Sequence, residues 1–142
     1  MRIVAVDASS DLMPAAYAVR HQVFVNEQAV PPALERDALD DLAIHLVALR
    51  GDDVIGTLRI VVSGANARIG RMAVLAAERR GGVGTRLMER AHEVARTMNV
   101  KEITLHAQLT AKDFYAKLGY CEEGDIFEEA GIAHVTMRQA IR

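Results

Sequence analysis

The sequence predicts an α/β (α+β) fold: a central mixed, mostly antiparallel sheet with helices on both faces. Three observations carry this expectation. Short β-rich apolar runs recur between turn signals, as in Ala43–Leu49 and Val54–Val62. Two longer segments, Leu12–Val25 and Val83–Met98, instead repeat apolar residues at helical spacing. These elements alternate in the order strand, helix, three strands, helix, strand, helix, two strands, which calls for helices packed on a sheet.

Arg2–Val6 opens the chain as a short strand. Ser9, Ser10 and Asp11 offer caps for a first helix that tolerates Pro14 in its opening turn and ends near Glu27. Pro31-Pro32 interrupts the chain, and Glu35-Arg36-Asp37-Ala38-Leu39-Asp40-Asp41 reads as an acidic, solvated loop or short helical turn. Arg50-Gly51-Asp52-Asp53 and Ser63-Gly64-Ala65-Asn66 are turns that join three antiparallel strands, the third being Ile69–Leu75. Val83, Leu87, Ala91, Val94, Ala95 and Met98 form the apolar stripe of a long helix that Asn99 ends. Glu102–Ala107 alternates as a strand, Ala111–Leu118 is a short helix stopped by Gly119, and Tyr120–Glu128 and Ala133–Met137 close the sheet around a Gly131 turn.

The 142 residues suit one domain over 1–142, large enough to bury roughly two thirds of the unfolded surface. A formal charge of -2, with basic residues spread among acids, gives no electrostatic case for nucleic acid or an anionic membrane. Cys121 stands alone, so a reducing, cytoplasmic setting is expected. The apolar run at Met1–Asp7 is too short for a signal peptide, and no apolar stretch reaches membrane-spanning length. No paired His, Cys or acid spacing suggests a metal site.

Arg79-Arg80-Gly81-Gly82-Val83-Gly84-Thr85 lies between a strand and a helix. A basic, glycine-rich turn of this kind presents the unused N–H groups of the helix to an anion, and phosphate is the natural ligand. A nucleotide P-loop would need Lys-Ser or Lys-Thr after the last glycine, whereas Gly84 is followed by Thr85-Arg86. The dinucleotide fingerprint would need a third glycine near Leu87 and an acid at the end of the next strand, where Thr104–His106 stand. What remains is the pattern Arg79-x-x-Gly82-x-Gly84, joined downstream by Phe114-Tyr115-Ala116-Lys117-Leu118-Gly119-Tyr120.

Together these two motifs resemble the acyl-CoA pyrophosphate loop and the later Phe-Tyr helix of the GNAT N-acetyltransferase superfamily. Within it the chain is similar to the ElaA-like branch over most of its length. That likeness rests on Arg20–Gln28, Ile69–Val74, Ala107-Gln108 and Glu129–His134. The resemblance implies a GNAT fold that binds acetyl-CoA as co-substrate between the strands ending near Val74 and Ala107. It also implies transfer to a primary amine by direct attack. Backbone groups of Met72, Ala73 and Val74 would meet the pantetheine arm, and Arg79, Arg80, Gly81, Gly82, Val83, Gly84 and Thr85 the diphosphate. Gln108, Phe114 and Tyr115 would complete the cofactor site, with Gln108 standing where Asn is frequent in the wider family.

Acetyl transfer to an amine needs a neutral amine, a stabilised oxyanion and a proton for the leaving thiolate. Tyr115 suits the last task, since a phenol of pKa about 10 can serve a thiol of about 8.5. The N–H of Val74 on a bulged strand suits the oxyanion. For the base, Glu27, Glu35, Asp37, Asp40, Asp41, His45 and His106 all qualify by type, with His106 ahead of His45; His134 could face the substrate mouth. The Glu35–Asp41 run could also draw in a cationic amine. A non-catalytic acyl-CoA sensor is the alternative function. A third candidate is an acyl-homoserine-lactone synthase, suggested by Arg20-x-x-Val23-Phe24 followed by Glu35-x-Asp37-x-x-Asp40 but opposed by the absence of Trp. The acceptor would be a small molecule or peptide, and a homodimer is common among the proteins the chain resembles.

Overall fold

The computed structural model describes residues 1–142 as a seven-stranded sheet in the order β1-β2-β3-β4-β5-β7-β6. Strands β1 (Arg2–Val6), β2 (Ile44–Arg50), β3 (Asp53–Ser63) and β4 (Asn66–Val74) pair antiparallel in sequence order. β5 (Glu102–Gln108) joins β4 in parallel, and β7 (Ile132–Ala140) and β6 (Cys121–Glu129) finish the sheet antiparallel. A parallel neighbour cannot be reached by a tight turn, and helix α3 (Val83–Thr97) makes the crossover from β4 to β5. No helix is long and apolar enough to cross a membrane.

The two faces of the sheet are buried by different helices. On one face Leu87, Met88 and Ala91 of α3 pack on Ile69, Ile103, Leu105 and Met137, joined by Tyr115 of α4 (Lys112–Lys117). On the other, Met13, Ala16 and Val19 of α1 (Met13–Arg20) pack on Val47, Leu49 and Ala73. Full burial of each such aliphatic side chain is worth about 1.5–3 kcal/mol. The apolar stripes therefore fix which face each helix covers.

Most element ends shift by a residue or so from the sequence expectation and β7 runs three residues further, to Ala140; two differences bear on the site. The first helix is α-helical only to Arg20 and continues as a π-helical turn over His21–Glu27 before α2 (Pro32–Glu35). The wider turn follows directly on Arg20, whose side chain is tied by salt bridges to Glu35 and Asp40. β4 starts at Asn66 rather than Ile69, because Ala67 and Ile69 already alternate inward while Asn66 and Arg68 face solvent. Short side chains and charge hide that alternation in the sequence.

Candidate active site

β4 and β5 pair only from Asn66–Ile69 to Glu102–Leu105. Beyond that point they part at a β-bulge. Thr57 of β3 faces Ala73 and Arg59 faces Gly70, so β4 carries one more residue than its partner across this stretch. Arg71 absorbs the excess at φ 52°, a left-handed conformation uncommon for a non-glycine residue. The extra residue also switches the alternation. Ala67 and Ile69 face α3 before the bulge, whereas Met72 and Val74 do so after it, and Ala73 turns toward α1.

The same switch sets the backbone of Val74. Leu75 donates its N–H to the carbonyl of Ile55 at 3.0 Å. Because successive strand residues aim their polar groups to opposite sides, the N–H and C=O of Val74 point away from β3. The carbonyl accepts Nε of Arg79 at 2.9 Å. The amide faces a cleft of about 1160 Å³ whose lining includes Met72, Ala73, Val74, Gly84, Gln108 and Tyr115.

At one end of the cleft, Gly82 caps α3 at φ 81° with no side-chain hydrogen bond. The first bond of the helix is Arg86 N–H to Gly82 O, at 3.0 Å. The N–H groups of Val83, Gly84 and Thr85 are thus left for a ligand, at the positive end of the helix dipole. A Cβ at Gly84 would lie 3.4 Å from the Phe114 ring and 3.8 Å from the Met72 methyl, so glycine lets the loop, β4 and α4 close together. Arg79, Arg80, Gly82, Val83 and Thr85 also line the cleft, while Gly81 stands outside it. The two arginines differ in state. Arg79 is tied to Glu27 at 2.9 Å as well as to the Val74 carbonyl, whereas Arg80, at φ 70°, makes no ion pair.

Tyr115 is 9 % exposed, with its ring edge-on to Phe114 and Tyr120. Burial pushes its phenol up to about 12. Gln139 Oε1 is the one fully buried side-chain polar atom without a partner, so the Tyr115 hydroxyl, which no protein group bonds, opens into the cleft.

On the opposite face of the sheet, His106 Nδ1 lies 2.9 Å from Glu129 and 2.7 Å from an Arg68 guanidinium nitrogen. These contacts are alternatives: Nδ1 donates to Glu129 when it carries the proton and accepts from Arg68 when it does not. Burial opposes ionisation of Glu129, but the His106 hydrogen bond together with the charges of His106, His134 and Arg68 outweighs it and holds the carboxyl below its ordinary range. Gln108, at the end of β5, donates to Gln28 at 2.8 Å, tying that strand to the segment after the π-helical turn. Sequence reasoning left Gln28, Arg68 and Glu129 without roles. Nothing local marks Arg68 or Gln28, since their partners come from distant parts of the chain.

The acidic segment forms a short helical turn over Ala38–Asp41 and is exposed at most positions, as its composition leads one to expect, but two of its carboxylates are buried and paired. Glu35 and Asp40 are 4 % and 2 % exposed. Arg20, itself 1 % exposed, bonds Glu35 at 2.6 Å and Asp40 at 2.7 Å, and Arg59 bridges Asp40 and Asp37. Arg71 reaches the Glu35 carbonyl at 2.9 Å and Asp37 at 3.2 Å. Three arginines thus answer three carboxylates, so the segment offers no net negative field. Burial works against ionisation of Asp40, yet the Arg20 hydrogen bonds hold its carboxyl far below the usual range. Glu35, Asp37 and Asp40 are accordingly spent as bases. His45 is buried with Nε2 on the Asp40 carbonyl at 2.9 Å, Glu27 is held by Arg79, and neither these two nor Asp41 lines the cleft.

A splayed parallel pair, a bulge and a helix terminus with free N–H groups thus meet in one cleft, and the acetyltransferase (GNAT) domain family matches residues 7–141. The chain belongs to that family. Its relatives place it in the ElaA-like branch. Escherichia coli ElaA is 28 % identical in its crystal structure with TM-score 0.87, covering 98 % of this chain and 99 % of that one. An acyl-CoA N-acyltransferase of Pseudomonas aeruginosa is 30 % identical with TM-score 0.88, over 99 % and 100 % of the two chains. The uncharacterised N-acetyltransferase YjcF of Bacillus subtilis is 35 % identical over 124 residues, 86 % of this chain and 88 % of its own. A CoA-dependent acyl-homoserine lactone synthase, solved with SAM and isopentyl-CoA, is 17 % identical at TM-score 0.83 over 99 % and 83 %, a likeness of fold alone.

Proposed function

We propose that this chain, as one domain over residues 1–142, transfers an acetyl group from acetyl-CoA to a primary amine of a small molecule or peptide by direct attack. The observation that carries the proposal is the bulge at Arg71, which turns the Val74 amide into the cleft that the α3 terminus and Tyr115 also line. The free N–H groups of Val83, Gly84 and Thr85, with Arg80, would hold the diphosphate. Gly82 and Gly81 keep the turn free of side chains there, and Arg79 braces it. Backbone groups of Met72, Ala73 and Val74 would hold the pantetheine arm, with Gln108 and Phe114 as its opposite wall. Bound there, acetyl-CoA supplies the activated thioester carbonyl.

In the chemical step the C–N bond forms, the C–S bond breaks, the thiolate gains a proton and the attacking nitrogen loses one. Val74 N–H would stabilise the developing oxyanion, and Tyr115 would protonate the thiolate. The high proton affinity of Tyr115, set by burial, keeps the phenol protonated until a thiolate forms beside it. Cys121 is exposed on β6, outside the cleft lining, so it supports no covalent route. The test is a thermal-shift titration with acetyl-CoA followed by thiol-release assays over a panel of amines and peptides. Stabilisation with turnover of at least one amine is expected. No stabilisation at millimolar acetyl-CoA overturns the proposal, and binding without any turnover favours the sensor.

A further inference from the structure

We infer that His134 is the base that takes the ammonium proton of the acceptor amine and so frees its lone pair for attack, an inference that rests on the acetyltransfer proposed above. Val135 and Met137 of β7 point into the α3 core, so His134 projects to the opposite face. It pairs with Gln108 across β5, where the cleft opens, and it lines that cleft. Tyr115 enters from the α4 side. The proton donor for sulfur and the proton acceptor for nitrogen would thus reach the cleft from different faces of the sheet, so that the two proton transfers need not share one group.

The ring of His134 is also prepared for the role. Its Nδ1–H donates to the Ile132 carbonyl two residues back on β7, at 2.7 Å, and Phe127 stacks on it at 5.9 Å between centroids. A carbonyl can only accept, so in the neutral imidazole the proton sits on Nδ1 and the lone pair on Nε2. His134 is 8 % exposed, yet Nε2 is neither bonded nor fully enclosed, which leaves the cleft as its opening. His106 is less suited because Nδ1 is shared between Arg68 and Glu129. The charged and titratable groups facing His134 are Glu129 of the β6 end, His106 of β5 and, beyond it, Arg68 of β4. On proton transfer Glu129 offsets the imidazolium and Arg68 opposes it.

Two measurements test this. Nitrogen NMR of the acetyl-CoA-loaded protein should show His134 as the Nδ1–H tautomer with an unprotonated, solvent-reachable Nε2. A proton on Nε2 in the neutral ring overturns the inference. In parallel, His134→Gln should keep the acetyl-CoA thermal shift and lower kcat/KM about 100-fold or more for the most rapidly acetylated alkylamine of the panel. The deficit should shrink for trifluoroethylamine, which is already neutral at neutral pH and needs no base before attack. An unchanged kcat/KM, or an equal deficit for both amines, overturns it. Loss of the thermal shift in the unmutated protein would instead strike the acetyltransferase proposal itself.

Discussion

Replacing Arg20 by Leu removes the centre of the buried ion cluster, and the remaining contacts show what is orphaned. Asp40 keeps Arg59 at 3.0 Å and the Asp37 N–H at 3.1 Å. Glu35 keeps only Arg71, at 3.9 Å, too long to replace the 2.6 Å bond from Arg20. One carboxylate at 4 % exposure is therefore left essentially unpaired. Breaking a buried pair in this way costs about 3–5 kcal/mol. For a chain of this size that lowers Tm by roughly 10–15 °C.

Urea unfolding at pH 7 and at pH 3 measures the effect. Asp40 has a depressed pKa in the folded state, so its stabilisation is present above the unfolded carboxyl value of about 3.9 and is lost as pH falls below it. The gap between Arg20→Leu and the parent should consequently narrow at pH 3. Glu35→Gln in the Arg20→Leu background should recover part of the loss at pH 7 by removing the stranded charge. A loss under about 1 kcal/mol at pH 7, or a gap that widens on acidification, refutes the claim that this cluster is a buried, charged strut.

Gly82→Asp should abolish measurable acetyl-CoA binding in calorimetry, since it adds a negative charge at the diphosphate site and forces φ 81° on a residue with a Cβ. Gly82→Ala should keep detectable binding. Tyr115→Phe should spare the affinity and lower kcat about 10- to 100-fold in the thiol-release assay. Because burial holds its phenol near 12, phenolate absorbance of Tyr115 should not develop below pH 11, and the phenol should impose no alkaline limb on kcat there. Gly84→Val should weaken acetyl-CoA binding by pushing α4 off the loop, since even a Cβ would already touch Phe114 at 3.4 Å; unchanged affinity would show that the wall yields.

The parts of this molecule legible in its sequence are those set by local chemistry. The loop from Arg79 to Thr85 and the Phe114-Tyr115 helix are contiguous, and their spacing excluded other phosphate sites before any contact was known. The Arg50–Asp53 and Ser63–Asn66 turns likewise declare themselves through Gly51 and Gly64, at φ 62° and 60°. The Glu35–Asp41 segment was misjudged because burial of charge depends on partners far away in the chain. Arg20 lies 15 residues from Glu35, and Arg71 is 36 from it. A charged run with no view of its partners looks solvated. The base is hard to read for the same reason: seven side chains qualify by type, and sequence ranks them only loosely, whereas the hydrogen bonds distinguish those already engaged.

The bulge joins these observations. Without the extra residue at Arg71, the alternation set by Ala67 and Ile69 would continue, and the groups of Val74 would pair with β3 instead of facing the cleft. The left-handed backbone at Arg71 costs about 1–2 kcal/mol, and a residue paying it needs outside support. That support comes from its guanidinium, bound to the Glu35 carbonyl and the Asp37 carboxylate, which Arg20 and Arg59 in turn hold in place. The buried cluster is thus better understood as the brace of the bulged strand than as a lure for a cationic substrate. It lies on the α1 side, and the phosphate loop lies on the α3 side. The bulge is where the demands of the two faces meet on a single turn of backbone.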